Sequence, residues 1–272
     1  SFNTNLPYDK FITWQIAGDM LPDATKEQIL ASGFNRNHKI TQEGGVVPEE
    51  YRVEYVADRA ITTSKIMMGL TIECARCHSH KFDPISHEDF FSFYSFFNNV
   101  DEDGLIIYGE TAPKPNLTIK KADIKGELNF VNLPDSINDV TLMVMKESEN
   151  LRNTYVLNRG SYDSPTIKVN PGTPQVILPF DYKNNPANRI GLSKWFFNDN
   201  NPLTSRVAVN RIWQQFFGIG IVSTPDDFGS QGSKPINPEL LDWLAYTYQK
   251  EDKWDTKKFI KRIVMSSTYR QS

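Results

Sequence analysis

Cys74-Ala75-Arg76-Cys77-His78 is the stretch from which the rest of this chain is read. Two thiols three residues apart, followed directly by an imidazole, form the C-x-x-C-H attachment pattern of a c-type haem. Each cysteine takes one vinyl group of the porphyrin as a thioether, and the next histidine sits under the iron. The chain has two cysteines in 272 residues, and both stand here. Other chemistries use the same residue types. Cys74, Cys77, His78 and His80 offer thiolate and imidazole, both of which suit zinc. Zinc fingers, however, usually separate the two pairs by about a dozen residues. A redox disulfide expects a βαβ unit around it, and none is visible. Two inert buried thiols are the remaining reading.

Composition sets the outer bounds. The length suffices for one large domain or two small ones with a substantial core. Aromatic residues make up 12% of the chain, which argues against disorder. The net charge is -3, with acids and bases interspersed and no basic face, so nucleic acid is not an expected partner. No apolar run reaches the length of a membrane-spanning helix. Covalent haem attachment takes place outside the cytoplasm, so the haem reading expects an exported bacterial protein, in the periplasm or at the cell surface. The chain begins with Ser1, which that reading takes as a cleaved or missing export signal and as a piece of a longer protein.

Working outward from the motif, residues 48–99 read as strongly helical. Pro48-Glu49-Glu50 starts a helix whose apolar positions recur through Leu70 and whose course points toward Cys74. Pro84 breaks the chain. Ser86 then caps a short aromatic helix, Phe90 to Phe97, whose phenylalanines suit a haem wall or simply the local core, two compatible readings. Residues 1–47 hold a helix over Pro7 to Ile16, a second capped by Thr25, and loops at Asn35 to His38 and Glu43 to Gly45. Residues 100–187 read as β and loop, with strands at Leu117 to Ile119, Leu128 to Val131, Val140 to Val144 and Tyr155 to Leu157. Prolines 165, 171, 174 and 179 mark an irregular connection. The last region, residues 188–272, is helical again: one helix starts at Asn201-Pro202 and ends at Gly218, another starts at Asn237-Pro238, and Asp255 caps a last one running from Phe259 to Tyr269. The expected class is therefore α+β and predominantly helical, and no set of side chains converges as a catalytic group.

The ordered motifs also resemble a known pair of domains. Residues 1 to about 99 resemble the later part of planctomycete cytochrome C domain 2 (PSCyt2, DUF1549). The stretches that carry this are Leu6-Pro7-Tyr8-Asp9-Lys10-Phe11, Ala17-Gly18-Asp19-Met20-Leu21-Pro22, Gly33-Phe34-Asn35-Arg36-Asn37-His38 and Cys74 through Ile85. Residues from about 140 onward resemble the start of the PSD1 (DUF1553) domain, through Asn201 to Gly218 and Thr224-Pro225-Asp226-Asp227-Phe228-Gly229. Residues 100–139 are the connection. The resemblance implies a large exported protein in which Cys74, Cys77 and His78 hold haem c, with His78 as proximal iron ligand. It implies a redox partner or an upstream cytochrome-like domain, and it supplies no catalytic residue.

Haem iron has a second axial position. His80 lies two residues beyond His78 and so starts on the proximal side. His87 is placed to help cap the aromatic helix. His38, in a polar loop distant in sequence, is the favoured distal ligand, followed by a methionine among Met20, Met67 and Met68. Arg36, Arg59, Arg76 and Lys81 are the candidates for pairing with the haem propionates. Three functions compete: a single-electron carrier, a haem redox enzyme acting on polysaccharide, and a structural module with a Cys/His zinc site.

Overall fold

The computed structural model describes residues 1–124, 128, 129, 131, 134 and 136–271. It is an α+β fold dominated by helices: α1 (Tyr8–Ala17), α2 (Lys26–Ala31), α3 (Pro48–Met68), α4 (His87–Tyr94), α5 (Lys121–Ile124), α6 (Arg189–Phe196), α7 (Thr204–Phe217), α8 (Pro238–Tyr246), α9 (Thr256–Val264) and α10 (Ser267–Arg270). Two antiparallel ribbons interrupt them. Strand β1 (Asn116–Lys120) pairs with β2 (Asp139–Met143), and β3 (Thr154–Leu157) with β4 (Pro165–Val169). The expected strand over Leu128 to Val131 includes Phe130, which lies outside the described residues; Leu128 and Asn129 form a turn. Strand β4 falls where prolines suggested an irregular connection. Pro165 opens that strand opposite Leu157, at an end where the missing N–H costs the ladder little.

Helix α3 is the main support of the motif. Pro48 stands in its first turn with Glu49 and Glu50, and Gly69 ends it in the left-handed region at φ 60°. The helix therefore stops at Met68 and does not run on to Cys74. A Cβ at position 69 would also come within 2.7 Å of the Phe228 ring, so close packing and backbone conformation both call for glycine there. Helix α4 begins with a reciprocal capping box between Ser86 and Asp89. Phe90, Phe91, Phe93, Tyr94, Phe96 and Phe97 are all buried in the core. Each such ring contributes on the order of 2 kcal/mol by leaving water. The aromatic helix thus forms local core, as one of its two compatible readings expects.

Two apolar cores result. The larger joins Ile12 and Ile16 of α1, Val53, Val56 and Met68 of α3, the aromatic rings of α4, Val156 and Val169 of the second ribbon, and Leu192 and Phe196 of α6. The smaller joins Val209 of α7, Leu241 and Leu244 of α8, and Phe259 and Ile263 of α9, with Tyr248 and Trp254 between them. Packing thus divides the chain between α6 and α7. Tyr8 and Phe197 touch both cores and tie them together. The final helix expected from Phe259 to Tyr269 is broken: α9 ends at Val264, and Ser266 caps the separate turn α10.

Candidate functional site

The motif occupies a 3₁₀ turn, Ile72–Arg76, with Cys77 as its C-terminal cap. With three residues per turn, side chains three apart eclipse one another. Ile72 and Ala75 share the inward face and are buried at 1% and 0% exposure. Cys74 and Cys77 share another face; both are exposed and neither is in a disulfide. His78 follows at the surface. Its Nδ1 lies 2.7 Å from the carbonyl oxygen of Ser79. A carbonyl only accepts, so Nδ1 carries the proton and Nε2 keeps its lone pair. This is the arrangement by which a backbone acceptor fixes the tautomer of a metal-ligating imidazole.

The turn is held from beneath and from both sides. Arg76 lies back over α3 and forms a two-pronged pair with Glu54, with Nη1 2.9 Å from Oε2 and Nη2 donating to Oε1. The hydrogen bond from Arg76 is the main reason the Glu54 carboxyl titrates below its usual range. Gly160, in the turn of the second ribbon, presses on the Arg76 stem; a Cβ there would stand 3.2 Å from Cγ and from Nε, and its φ is +74°. His87 does not cap its own helix. Its Nε2 donates to the Arg76 carbonyl oxygen at 2.9 Å, and its ring stands edge-on to Phe91. His80 accepts the Asp83 amide on Nδ1 at 2.8 Å and so shapes the loop that follows.

The loop after α7 clasps both flanks of the motif. Phe228 donates its amide to Gly69 O at 2.6 Å, ahead of the cysteines. Ser230 donates its amide to the buried Asp83 carboxylate at 2.7 Å, beyond them. Gly229 lies so close that a Cβ would meet Asp83 Oδ2 at 2.5 Å. Arg211 completes the clasp: its guanidinium donates to the Ile66 carbonyl, to the Lys65 carbonyl that also accepts the Gly69 amide, and to Asp226. Sequence reasoning assigned no part in the site to Arg211, Asp83 or Phe228. Phe228 lies in the Thr224 to Gly229 stretch, which has turn chemistry and a glycine but no chemical pattern of its own, and Arg211 and Asp83 reach that loop only through the fold.

The other candidates lie elsewhere. His38 is not positioned as a distal ligand. Its Nδ1 is 2.7 Å from Lys39 O, and its Nε2 is 3.1 Å from Arg59 Nη2, so both ring nitrogens are already engaged. Its side chain is 1% exposed, and the ring stacks on Tyr55 at 4.5 Å. Met67 and Met68 are buried in the larger core, against which Met20 packs. Arg36 and Arg59 are buried against Glu102 and face no surface ligand. Arg76 is held by Glu54. Among the described residues Lys81, of the four expected propionate partners, has no ion pair; its ammonium sits 5.1 Å over the Phe82 ring. Among the described residues no three His, Cys, Asp or Glu side chains are grouped to hold a metal ion, so the tetrahedral zinc arrangement is not preformed. Haem asks less of the protein, namely two thiols on one face and one imidazole nitrogen, and the motif fits it.

Among the described residues no helix is long and apolar enough to cross a membrane. No curated protein and no solved structure matched the chain. Two family matches were found, both to families described as proteins of unknown function: PSCyt2 (DUF1549) over residues 1–102 and PSD1 (DUF1553) over residues 188–272. The cysteine turn thus lies in the part that matches PSCyt2, and the helix and loop that grip it lie in the part that matches PSD1.

Proposed function

We propose that this region carries one covalently attached haem c and relays single electrons in an exported bacterial protein. The observation behind this reading is the face shared by Cys74 and Cys77, exposed and unbridged, beside an imidazole whose Nε2 is left available. Cys74 and Cys77 would hold the porphyrin and His78 its iron. When bound, the haem supplies a one-electron couple. The chain's own residues fix the attachment turn. Ile72 and Ala75 anchor it, Arg76 and His87 hold its backbone, and the Ser79 carbonyl keeps the His78 proton on Nδ1. An attachment point at the surface favours electron exchange with a partner protein or a neighbouring cytochrome-like domain over chemistry in a closed pocket. The cytochrome element in the PSCyt2 name agrees with this reading.

The test is expression with haem-attachment machinery, followed by absorption spectroscopy through a reductive titration. The electron-carrier reading expects a reversible one-electron transition and no turnover with peroxide. Turnover with peroxide, or with a reduced sugar, selects the haem-enzyme alternative. Elemental analysis that finds zinc and no iron selects the structural module.

A further inference from the structure

We propose that the polar cleft between the start of α4 and the loop after β4 binds a neutral disaccharide. The cleft has a volume of about 510 Å³ and lies among Glu88, Lys168, Asn170, Gln175, Val176 and Tyr182. That volume falls within the roughly 300–1,000 Å³ of small-molecule sites. The lining includes none of Cys74, Cys77 and His78, so occupancy of the cleft is independent of haem.

Local hydrogen bonds hold the cleft in shape. One side is the first turn of α4, fixed by the Ser86–Asp89 capping box. The other is the chain from Lys168 to Tyr182. Gly172 donates its amide to Ser92 O at 3.0 Å and so joins the two sides. A Cβ at position 172 would stand 3.0 Å from the Tyr182 hydroxyl, so this close approach favours glycine. Thr173 donates its hydroxyl to Leu178 O at 3.0 Å. Tyr182 is fixed at two points: its hydroxyl donates to Pro171 O at 2.9 Å, and its ring stands edge-on to Phe180 with centroids 4.9 Å apart.

The lining offers two kinds of surface. Glu88 supplies acceptors, Lys168 donors, and the Asn170 and Gln175 amides both. Among the described residues none of these four side chains has a hydrogen bond or ion pair within the chain. Beside them Tyr182 is 59% exposed and Val176 58%, so an apolar surface adjoins the polar groups. A sugar has matching parts: hydroxyls that donate and accept around its edge, and a C–H face that packs on an aromatic ring.

Charge and spacing narrow the class. Glu88 and Asp89 outnumber Lys168 in the lining, which disfavours acidic sugars and sugar phosphates. Asp89 is already committed to the Ser86 amide and hydroxyl. Adjacent helix positions do not face one another, so Glu88 and Asp89 are not an opposed pair of carboxyls for glycoside hydrolysis. The cleft is a binding site without a hydrolytic pair.

Calorimetric titration of the full chain with cellobiose, maltose and lactose, with glycerol and a glucose phosphate as comparisons, tests the proposal. At least one of these disaccharides is expected to bind saturably with Kd on the order of 1 mM, and the two comparison compounds at least about tenfold more weakly. Tyr182→Leu, which keeps an apolar side chain and removes the ring, is expected to weaken the bound sugar about tenfold while melting like the parent. Gln175→Ala, at an exposed side chain with no internal bond, provides a second variant that leaves the fold intact and should weaken it about threefold or more. No saturable binding of any of the disaccharides below roughly 50 mM, binding no tighter than the comparison compounds, or undiminished binding by both variants would each overturn the proposal.

Discussion

Two histidines of this protein begin with the same local device and end in opposite roles. His38 and His78 each lie with Nδ1 2.7 Å from the carbonyl of the next residue, which leaves Nε2 as the nitrogen with a lone pair. At His38 that nitrogen meets Arg59 inside a cluster of two arginines and Glu102, under a tyrosine ring. At His78 it meets solvent beside two exposed thiols. The local backbone sets the tautomer in both places, and the surroundings decide whether the free nitrogen becomes a structural acceptor or a ligand.

Electrostatics sharpen the contrast. Burial alone would push the Glu102 carboxyl up, but the charges of Arg59 and Arg36 outweigh it and hold the group at about 2. Burial also draws Arg36 down to about 10, against the attraction of Glu102. The asymmetry has a simple source. Glu102 faces two cations, whereas each guanidinium shares one anion and repels the other. Glu102 and Arg36 are both charged at neutral pH, and the cluster contributes stability rather than chemistry.

The largest effect is therefore expected at Glu102. Glu102→Gln leaves two buried guanidiniums without an anion and should cost about 3–5 kcal/mol in urea unfolding; a loss below about 1 kcal/mol would break the comparison. Acid should act through the same carboxylate. Its folded pKa lies below its unfolded value, so its contribution is complete above about 4.5 and is lost as pH falls toward about 2. A series of melting curves across that window should show a steep decline, and a flat series would contradict the assignment. Glu54→Gln, at the half-exposed support of Arg76, should cost only about 0.5–1 kcal/mol because solvent screens that pair. Smallest of all, Cys74→Ser and Cys77→Ser should change unfolding free energy by no more than about 0.5 kcal/mol. These exposed thiols support no packing, yet the two substitutions together should abolish haem attachment.

Much of this was legible in the sequence because it is local. Pro48, Ser86, Thr25, Asn237 and Asp255 start helices where capping chemistry places them, and the C-x-x-C-H spacing marks its own turn. What escaped depends on contacts between distant residues. Gly69 reads as one more position in an apolar run until Phe228 and its left-handed conformation are seen. His38 in a polar loop looks free until Arg59 and Glu102 close on it. Arg211 lies in a helix that reads as mere packing, although its guanidinium donates to a carbonyl at the end of α3 from 145 residues away. The aromatic run of α4 suits a cofactor wall and a core alike, and only three-dimensional packing shows which neighbours its rings meet.

The most direct test of the central claim is the intact mass and iron content of the denatured protein after expression with haem-attachment machinery. The account predicts a mass increase of one haem that survives denaturation and disappears in the Cys74→Ser/Cys77→Ser double variant. Unmodified thiols in the folded, unsubstituted protein, with no bound iron, would contradict it.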